Sequence, residues 1–125
     1  MRPSDRKYMK THEWCKIDGS LATIGITDYA VEHLQDLVFL DLPNKGKKVA
    51  AGTPFAEIES VKAVSDIYSP VDGEITEVNK ELADDLDRLK TDAFGAWMIK
   101  VKLAKPPDGM LSATEYEAHL QSEAH

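Results

Sequence analysis

Cysteine is almost absent from this chain, since Cys15 is the only one in 125 residues. A single cysteine cannot close an internal disulfide or supply the thiolates of a structural zinc site, and this usage is typical of a reducing compartment. We interpret Cys15, which follows Trp14 in a strand-like stretch, as a structural thiol. No metal site is expected, because the histidines do not stand at ligand spacing; they are His12, His33, His119 and His125. Of these we interpret the last three as solvated polar residues.

Long apolar runs and positive charge are also scarce. No run approaches the roughly 20 apolar residues of a membrane-spanning helix, and the opening "MRPSDRKYMKTHEW" has no apolar centre of the kind found in secretory signals. Lysine and arginine together number 15 against 22 acidic residues, so the net charge is -7. Such a surface repels phosphate groups, which argues against nucleic acid and membrane as partners and favours docking to basic patches on other proteins.

The residues that are present describe an ordinary globular protein. Hydrophobic residues make up 42% and charged residues 30% of the chain, which predicts a packed core rather than disorder. We expect one domain over residues 1–125, with residues 1–7 and 122–125 loose, and a monomer.

Tight-turn signals divide the chain into short strands. An Asp-Gly pair between "WCKI" and "SLATIGI" predicts a hairpin, and "LVFLDL" (37–42) has the composition of a buried strand. "PFAEIES" and "VSDIY" flank Lys62 as two further strands, and "EITEV" follows the turn "SPVDG". In "WMIKVKL" the residues Trp97, Ile99, Val101 and Leu103 alternate with Met98, Lys100 and Lys102, which predicts a half-buried strand.

Capping residues predict three short helices. Thr27 precedes a helix with Ala30, Leu34 and Leu37 on one face, and Asn79 precedes one with Leu82, Leu86 and Leu89 at helical spacing. Ser112 opens a terminal helix with a capping box to Glu115, and Leu111 and Tyr116 form its hydrophobic staple. Many short strands with a few short helices indicate a small sheet-rich sandwich or flattened barrel.

Motifs of stand-alone catalysis are missing, so we assign no catalytic residue. The chain has no Gly-rich phosphate loop, no Gly-x-Ser-x-Gly elbow and no His-Glu-x-x-His. Lys62 stands out instead, because it is the only basic residue between positions 49 and 79 and lies at the tip of the predicted hairpin. It is either an ordinary surface lysine or a modification site, at which an exposed primary amine forms an amide with a carboxylic-acid cofactor.

The block "ESVKAVSDIYSPVDGE", with "THEW" before it and "WMIKVK" after it, resembles the H-protein family of the glycine cleavage system. The likeness extends from about Tyr8 to Tyr116. It implies a mainly β lipoyl/biotinyl-carrier barrel-sandwich hybrid with short helices and a C-terminal helix, and it implies that Lys62 is the N6-lipoyllysine. Biotin carriers of this fold flank their lysine with methionines; Val61 and Ala63 occupy those places here, which favours lipoate.

The resemblance also implies a shuttle that catalyses nothing itself. The carrier would receive the aminomethyl group of glycine from a pyridoxal-phosphate decarboxylase (P protein) and pass it to a folate-dependent aminomethyltransferase (T protein). Dihydrolipoamide dehydrogenase (L protein) would then reoxidise the lipoyl group, which a lipoate ligase or a lipoyl/octanoyl transferase attaches. The expected compartment is the bacterial cytoplasm, or the mitochondrial matrix in a eukaryote.

The family parks its loaded arm in a cleft, and by position the resemblance implies Glu13, Thr11 and Asp66 as candidates for parking or recognition. Glu59 is a further candidate for the same role. Glu13 would stabilise a cationic amine, although it could also be a surface acid beside Trp14. For Glu59, which shares a strand face with Glu57, a simply solvated side chain is the other interpretation.

One segment departs from the family, which leaves alternatives open. "LDRLKTDAFGAW" lacks the usual turn-shaping prolines, is one residue shorter and has Ala96 before Trp97. An H-protein-like lipoate relay or regulatory carrier that does not serve glycine cleavage is therefore the second hypothesis. An unmodified structural or interaction domain is the third.

Overall fold

Short strands separated by tight turns form two antiparallel sheets in the structure, a computed structural model that describes residues 2–123. The strands are β1 (Lys7–Tyr8), β2 (Glu13–Asp18), β3 (Leu21–Ile26), β4 (Leu37–Asp41), β5 (Lys48–Val49), β6 (Pro54–Ser60), β7 (Val64–Tyr68), β8 (Gly73–Val78) and β9 (Ile99–Leu103). The helices are α1 (Asp28–Leu34), α2 (Lys80–Ala83), α3 (Asp87–Thr91) and α4 (Ala113–Glu123).

The larger sheet has six strands in the order β1-β2-β3-β9-β8-β5. Its β2–β3 hairpin is the predicted one, and Gly19 in its turn has a φ of 62°, which glycine adopts without steric cost. Trp14 pairs across this hairpin with Gly25, where a Cβ atom would lie only 2.6 Å from the indole ring. Glycine at position 25 therefore makes room for the tryptophan.

The smaller sheet has three strands in the order β4-β6-β7. β6 and β7 are the two strands predicted on either side of Lys62, and their pairing ends at Glu59 and Val64. After the turn that follows β7, β8 joins the larger sheet between β5 and β9. The two sheets are not closed into one barrel, and with the short helices and C-terminal helix they confirm the predicted fold class.

Two hydrophobic clusters hold the sheets and helices together. The main cluster lies between the sheets and includes Ile24, Leu40, Ile58, Ile75 and Val101. Cys15 belongs to it, and burial raises the pKa of its thiol to about 12, which fits a structural thiol. The second cluster packs α4 against the β1–β2 side and contains Tyr8, Trp14, Ala113, Tyr116 and Leu120.

The first and last helices begin as predicted. The Thr27 hydroxyl accepts a hydrogen bond of 3.3 Å from the amide of Ala30 at the start of α1. At the start of α4, the Ser112 amide donates to Glu115 (2.8 Å) and the Glu115 amide donates to the Ser112 hydroxyl (3.2 Å), which is the predicted capping box.

The predicted helix after Asn79 is wrong in its extent. Two short helices, α2 and α3, replace it, and Asn79 does not cap the first: its side-chain amide donates to the carbonyl of Trp97 at 2.9 Å. Asp84 and Asp85 lie at the break, and aspartate favours helix ends and turns over helix interiors. Leu82 and Leu89 are nevertheless buried, as their spacing predicts.

Two strand predictions also need correction. β4 is not a buried strand, because it lies at the edge of its sheet with Val38 and Phe39 exposed by 50% and 57%. β9 begins at Ile99 rather than Trp97, since the Trp97 amide bonds to the Gly95 carbonyl in the preceding turn. Met98, expected on the polar face, is therefore buried in the main cluster.

The ends of the described chain contact the rest of it. The Arg2 guanidinium donates to Asp28 (2.8 Å) and to Glu117 (2.5 Å), and α4 continues to Glu123. Residues 1–7 and 122–125 are expected to be loose, and three of them (residues 1, 124 and 125) lie outside the described range. This expectation and the single-domain boundary both stay predictions. Within residues 2–123, no helix is long and apolar enough to cross a membrane.

Candidate functional site

Lys62 lies at the tip of the β6–β7 hairpin, in a turn held by hydrogen bonds. The Ser60 amide donates to the Ala63 carbonyl (2.8 Å), and the Ser60 hydroxyl accepts from the Ala63 amide (3.2 Å). A bond from outside the hairpin adds to these, because the Val61 amide donates to the carbonyl of Asp36 at 2.9 Å. The backbone that carries Lys62 is thus fixed on both sides of the turn.

The Lys62 side chain itself is exposed, as are the residues beside it. Val61 and Val64 are exposed by 73% and 60%, so small apolar side chains flank the lysine along the chain. An amine in this position is accessible to the active site of another protein, which is what chemistry at Lys62 by an external enzyme requires.

A cleft of about 150 Å³ opens beside this hairpin, between α1 and strand β7. Its lining includes three of the predicted site residues, Thr11, Glu13 and Asp66. Apolar side chains form much of the remaining wall; they are Ile26, Ala30, Leu34, Ile58 and Ile67. Glu59 is not part of this lining: it is exposed on β6, where it pairs with Phe39 and Val64.

Glu13 is the buried carboxyl group of the cleft, with 2% of the residue exposed, and so is not a surface acid. It accepts hydrogen bonds from the Thr11 hydroxyl and from the amide of Tyr68 (3.1 Å). Burial raises its pKa to about 7, while the bonds from Thr11 and Tyr68 act in the opposite direction. A cation entering the cleft would favour the ionised form of this carboxyl group.

Two histidines also line the cleft, and no spacing pattern in the sequence predicts that both lie there. His12 and His33 lie on either side of Tyr29, whose ring centroid is 4.6 Å from that of His12 and 4.4 Å from that of His33. The only hint was that His12 stands between two candidate residues, Thr11 and Glu13.

The histidine predictions have mixed outcomes. His33 is exposed, as expected for a solvated residue. His119 is not freely solvated, because its Nε2 lies 2.9 Å from a Glu123 carboxylate oxygen and its side chain is only 22% exposed. His125 lies outside the described residues. Within residues 2–123, no group of three or more His, Cys, Asp or Glu side chains could hold a metal ion.

This arrangement fits a lysine-linked acyl chain. An exposed amine can be acylated, the apolar wall can contact a hydrocarbon arm, and the Glu13 carboxyl group can meet a positively charged end group. The geometry offers positioning and shielding of a bound group.

Comparisons with known proteins agree with this geometry. Residues 6–123 match the family model described as glycine cleavage H-protein. A protein of Rubrobacter xylanophilus named glycine cleavage system H protein is 51% identical over 122 residues, covering 97% of this chain and 96% of the relative. A probable glycine cleavage system H protein of Thermoplasma volcanium is 45% identical over 119 residues, covering 95% of this chain and 97% of the relative.

A solved structure is similar over nearly the whole fold. It is the crystal structure of a glycine cleavage system H protein from Mycobacterium marinum, with a TM-score of 0.89 and 40% sequence identity. The match covers 96% of this chain and 99% of that one.

Proposed function

The chain belongs to the glycine cleavage H-protein family, and on that premise we propose that Lys62 is the residue to which lipoate is attached. Membership of this family confirms the prediction that the chain is a lipoyl carrier in glycine cleavage and is not itself an enzyme. It does not favour the hypothesis of a lipoate relay. The observation that supports Lys62 is its exposed position on a turn fixed by Ser60, Ala63 and Asp36.

The attachment would be an amide between the Lys62 Nζ and the carboxyl group of lipoate. Forming it removes the positive charge of the lysine and leaves a long arm on a fixed base. When attached, lipoate supplies a dithiol that carries the aminomethyl group of glycine from one enzyme to the next. The protein's own contribution is to present this arm and to shelter its cargo.

A direct test of the attachment site replaces Lys62 by arginine. Arginine keeps the positive charge, but its guanidinium stays protonated and does not form the amide, so Lys62→Arg should fold normally and gain no lipoyl mass. The measurement is the intact mass after incubation with a lipoate ligase and lipoate. Lys47→Arg, at another exposed turn, is the control and should gain one lipoyl group. Lipoylation of Lys62→Arg would contradict the assignment.

The cleft lies within reach of an arm on Lys62. Ser65 and Asp66, which line it, follow Lys62 by three and four residues along the hairpin, roughly 10–13 Å at strand spacing. About a dozen covalent bonds separate the Lys62 backbone from the lipoyl sulfurs, giving a reach on the order of 10–15 Å. The arm would therefore enter the cleft without a change in the hairpin.

Inside the cleft, we propose that Glu13 stabilises the protonated amine of the cargo, with Thr11 orienting the carboxylate and Asp66 adding negative charge at the wall. Loss of the cargo to water converts the thioether-bound aminomethyl group and one water into the free thiol, formaldehyde and ammonium. The nitrogen lone pair helps to expel the sulfur, so a protonated nitrogen slows this loss. Glu13 would thus lengthen the lifetime of the loaded carrier.

Replacing Glu13 by alanine tests this role. The Glu13→Ala carrier should lose its cargo faster, by about tenfold if the ion pair contributes roughly 1.4 kcal/mol. Both proteins are lipoylated, loaded with the decarboxylase and separated from it before ammonium release is followed. Glu59→Ala is the matched control, because Glu59 is an exposed acid outside the cleft. Release at the same rate from Glu13→Ala and the parent would show that Glu13 does not shelter the cargo.

The partners follow from membership of a multi-enzyme system, and we propose them individually as the decarboxylase, the aminomethyltransferase and dihydrolipoamide dehydrogenase. A lipoate ligase or a lipoyl/octanoyl transferase would act on Lys62. The net charge of -7 supports docking to basic surfaces on these enzymes. A monomer in the bacterial cytoplasm, or in the mitochondrial matrix of a eukaryote, remains part of the proposal.

The unusual segment before Trp97 fits the carrier fold. Ala96, which stands where the family has glycine, is fully buried in the main cluster, and the Ala96 amide donates to the Asp92 carbonyl at 2.9 Å. The segment therefore packs into the core, so its departure from the family pattern is no reason to prefer a different function.

A further inference from the structure

His12 has an unusual backbone conformation in the wall of the cleft. Its φ is 77°, in the left-handed region that residues other than glycine seldom adopt. Two hydrogen bonds hold this conformation: the His12 amide donates to the Met9 carbonyl (2.9 Å), and the His12 carbonyl accepts from the Thr27 amide (3.0 Å). Because Thr11 and Glu13 flank His12, its conformation sets the direction in which both side chains point.

The imidazole ring of His12 is held by the C-terminal helix α4. Its Nδ1 lies 2.8 Å from the Tyr116 hydroxyl, and its Nε2 lies 3.1 Å from a carboxylate oxygen of Glu123. The Tyr116 hydroxyl is also 2.8 Å from the hydroxyl of Thr27, the residue that caps α1. A chain of polar contacts thus joins α4, His12 and the start of α1.

These contacts are consistent with one arrangement of protons. A carboxylate only accepts, so Nε2 of His12 carries the hydrogen that points to Glu123, and Nδ1 of the neutral ring is an acceptor. The Tyr116 hydroxyl then donates to Nδ1 and accepts from the Thr27 hydroxyl. Burial of the ring lowers the pKa of His12, which favours this neutral form.

We propose that α4 shapes the arm cleft through His12: Tyr116 and Glu123 fix the imidazole, and the fixed ring maintains the left-handed backbone that directs Thr11 and Glu13 into the cleft. His12 is thus a positioning residue, and α4 acts on the cleft without contributing a side chain to its lining. The sheltering of cargo by this arrangement rests on the proposed function, whereas the control of Glu13 by α4 does not.

The first test uses the unmodified protein and the variant Tyr116→Phe. This change removes the hydroxyl that binds His12 and keeps the ring that stacks on Tyr8 with centroids 4.8 Å apart. If Glu13 then leaves its position, the Tyr68 amide loses its acceptor, and its hydrogen exchange should become about three- to tenfold faster. NMR of the same samples should show the Nε2–H tautomer of His12 in the parent.

Tyr8→Phe is the matched control for this test. It removes one tyrosine hydroxyl from the same aromatic cluster, but that hydroxyl donates to the carbonyl of Pro3, away from the cleft. Tyr68 exchange should stay at the parental rate in Tyr8→Phe. Equal exchange in Tyr116→Phe and Tyr8→Phe, or the Nδ1–H tautomer in the parent, would overturn the proposal.

If Tyr116→Phe does not fold, His12→Asn and His12→Ala replace it. Both lose the ring, but asparagine tolerates the left-handed conformation better than alanine. Exchange at Tyr68 should therefore be slowest in the parent, intermediate in His12→Asn and fastest in His12→Ala. Parental exchange in both variants would contradict a role for His12.

A second readout follows ammonium release from carriers whose lipoylation has been verified by intact mass. Tyr116→Phe should release ammonium about two- to tenfold faster than Tyr8→Phe. If Glu13→Ala releases it at the parental rate, the proposed sheltering fails while the exchange result still decides the role of α4. If Glu13→Ala accelerates release and Tyr116→Phe does not, the inference about α4 fails and the sheltering stands.

Discussion

Glu13 shows how a single residue can oppose folding and still suit a binding site. The carboxyl group ionises near pH 4.5 when it is exposed, and burial raises its pKa to about 7 in the folded protein. Between pH 4.5 and pH 7, Glu13 is therefore ionised in the unfolded chain but still protonated in the folded protein. The contribution of Glu13 to stability therefore falls as the pH rises from 4.5 to 7, by about 3 kcal/mol in all.

The variant Glu13→Gln should remove this pH dependence. Its carbonyl oxygen can accept from the Tyr68 amide and its NH₂ group can donate to the Thr11 hydroxyl, so the hydrogen bonds survive without a charge. We expect equal stability of the two proteins near pH 4, and up to about 3 kcal/mol more for the variant near pH 8. Urea unfolding across this range measures the difference, and a gap that is constant with pH or shrinks as the pH rises would contradict the expectation.

Single residues also show what local sequence can and cannot predict. The exposed position of Lys62 follows from its place between two alternating strands, which is local information. The burial of Glu13 does not, because the consecutive residues Glu13, Trp14 and Cys15 are all buried. In a half-buried strand the side chains alternate, so only one face of the strand is buried. Here both faces are buried, because Cys15 belongs to the main cluster and Trp14 to the second cluster, which includes residues of α4.

At the scale of elements, β4 illustrates the same limit. Its apolar composition predicts a strand correctly, but burial depends on which strands lie beside it, and β4 has a neighbour on one side only. Register with β6 also shifts between Leu37 and Phe39, so the regular alternation of side chains is broken there. Composition alone could not place Val38 and Phe39 at the surface.

Adjacent residues of β4 should therefore respond very differently to truncation. Leu40 is 2% exposed in the main cluster, and Leu40→Ala should cost about 2–5 kcal/mol by removing buried contacts and leaving a cavity. Phe39 is 57% exposed, so Phe39→Ala should cost less than about 1 kcal/mol although it removes a larger side chain. Chemical unfolding of both variants measures the two free energies. A cost for Phe39→Ala as large as that for Leu40→Ala would show that β4 is covered.

The whole molecule explains why the site was only partly visible in the sequence. Thr11 lies just before β2, Glu13 begins that strand and Asp66 lies on β7. These residues and those of α1 are far apart in the chain and meet only through the packing of the two sheets and α1. Family resemblance indicated Thr11, Glu13 and Asp66 as candidates. The contact of His12 with α4 joins residues about a hundred positions apart, and no local pattern contains it.

Charge is also a property of the whole molecule, but screening limits how far each acid acts. The net charge of -7 should attract basic partners from any direction, while docking at Lys62 depends on the acids closest to the hairpin. At an ionic strength of about 0.1 M, interactions are screened beyond roughly 10 Å. Glu59 lies on the hairpin that carries Lys62, whereas Asp18 is the last residue of β2, at the opposite end of that strand from the cleft residue Glu13.

Neutralising these two acids should separate local from overall attraction. Glu59→Gln and Asp18→Asn each remove one negative charge with little change in side-chain size, and both residues are exposed. If the lipoate-attaching enzyme presents a basic surface to the hairpin, Glu59→Gln should lower kcat/KM for lipoylation of Lys62 by about two- to threefold at low salt, and Asp18→Asn should change it little. Near 0.5 M salt, where the screening length is about 4 Å, the difference should vanish. Equal effects of the two variants would mean that only the total charge matters, and faster lipoylation of Glu59→Gln would mean that the enzyme's surface is not basic at this point.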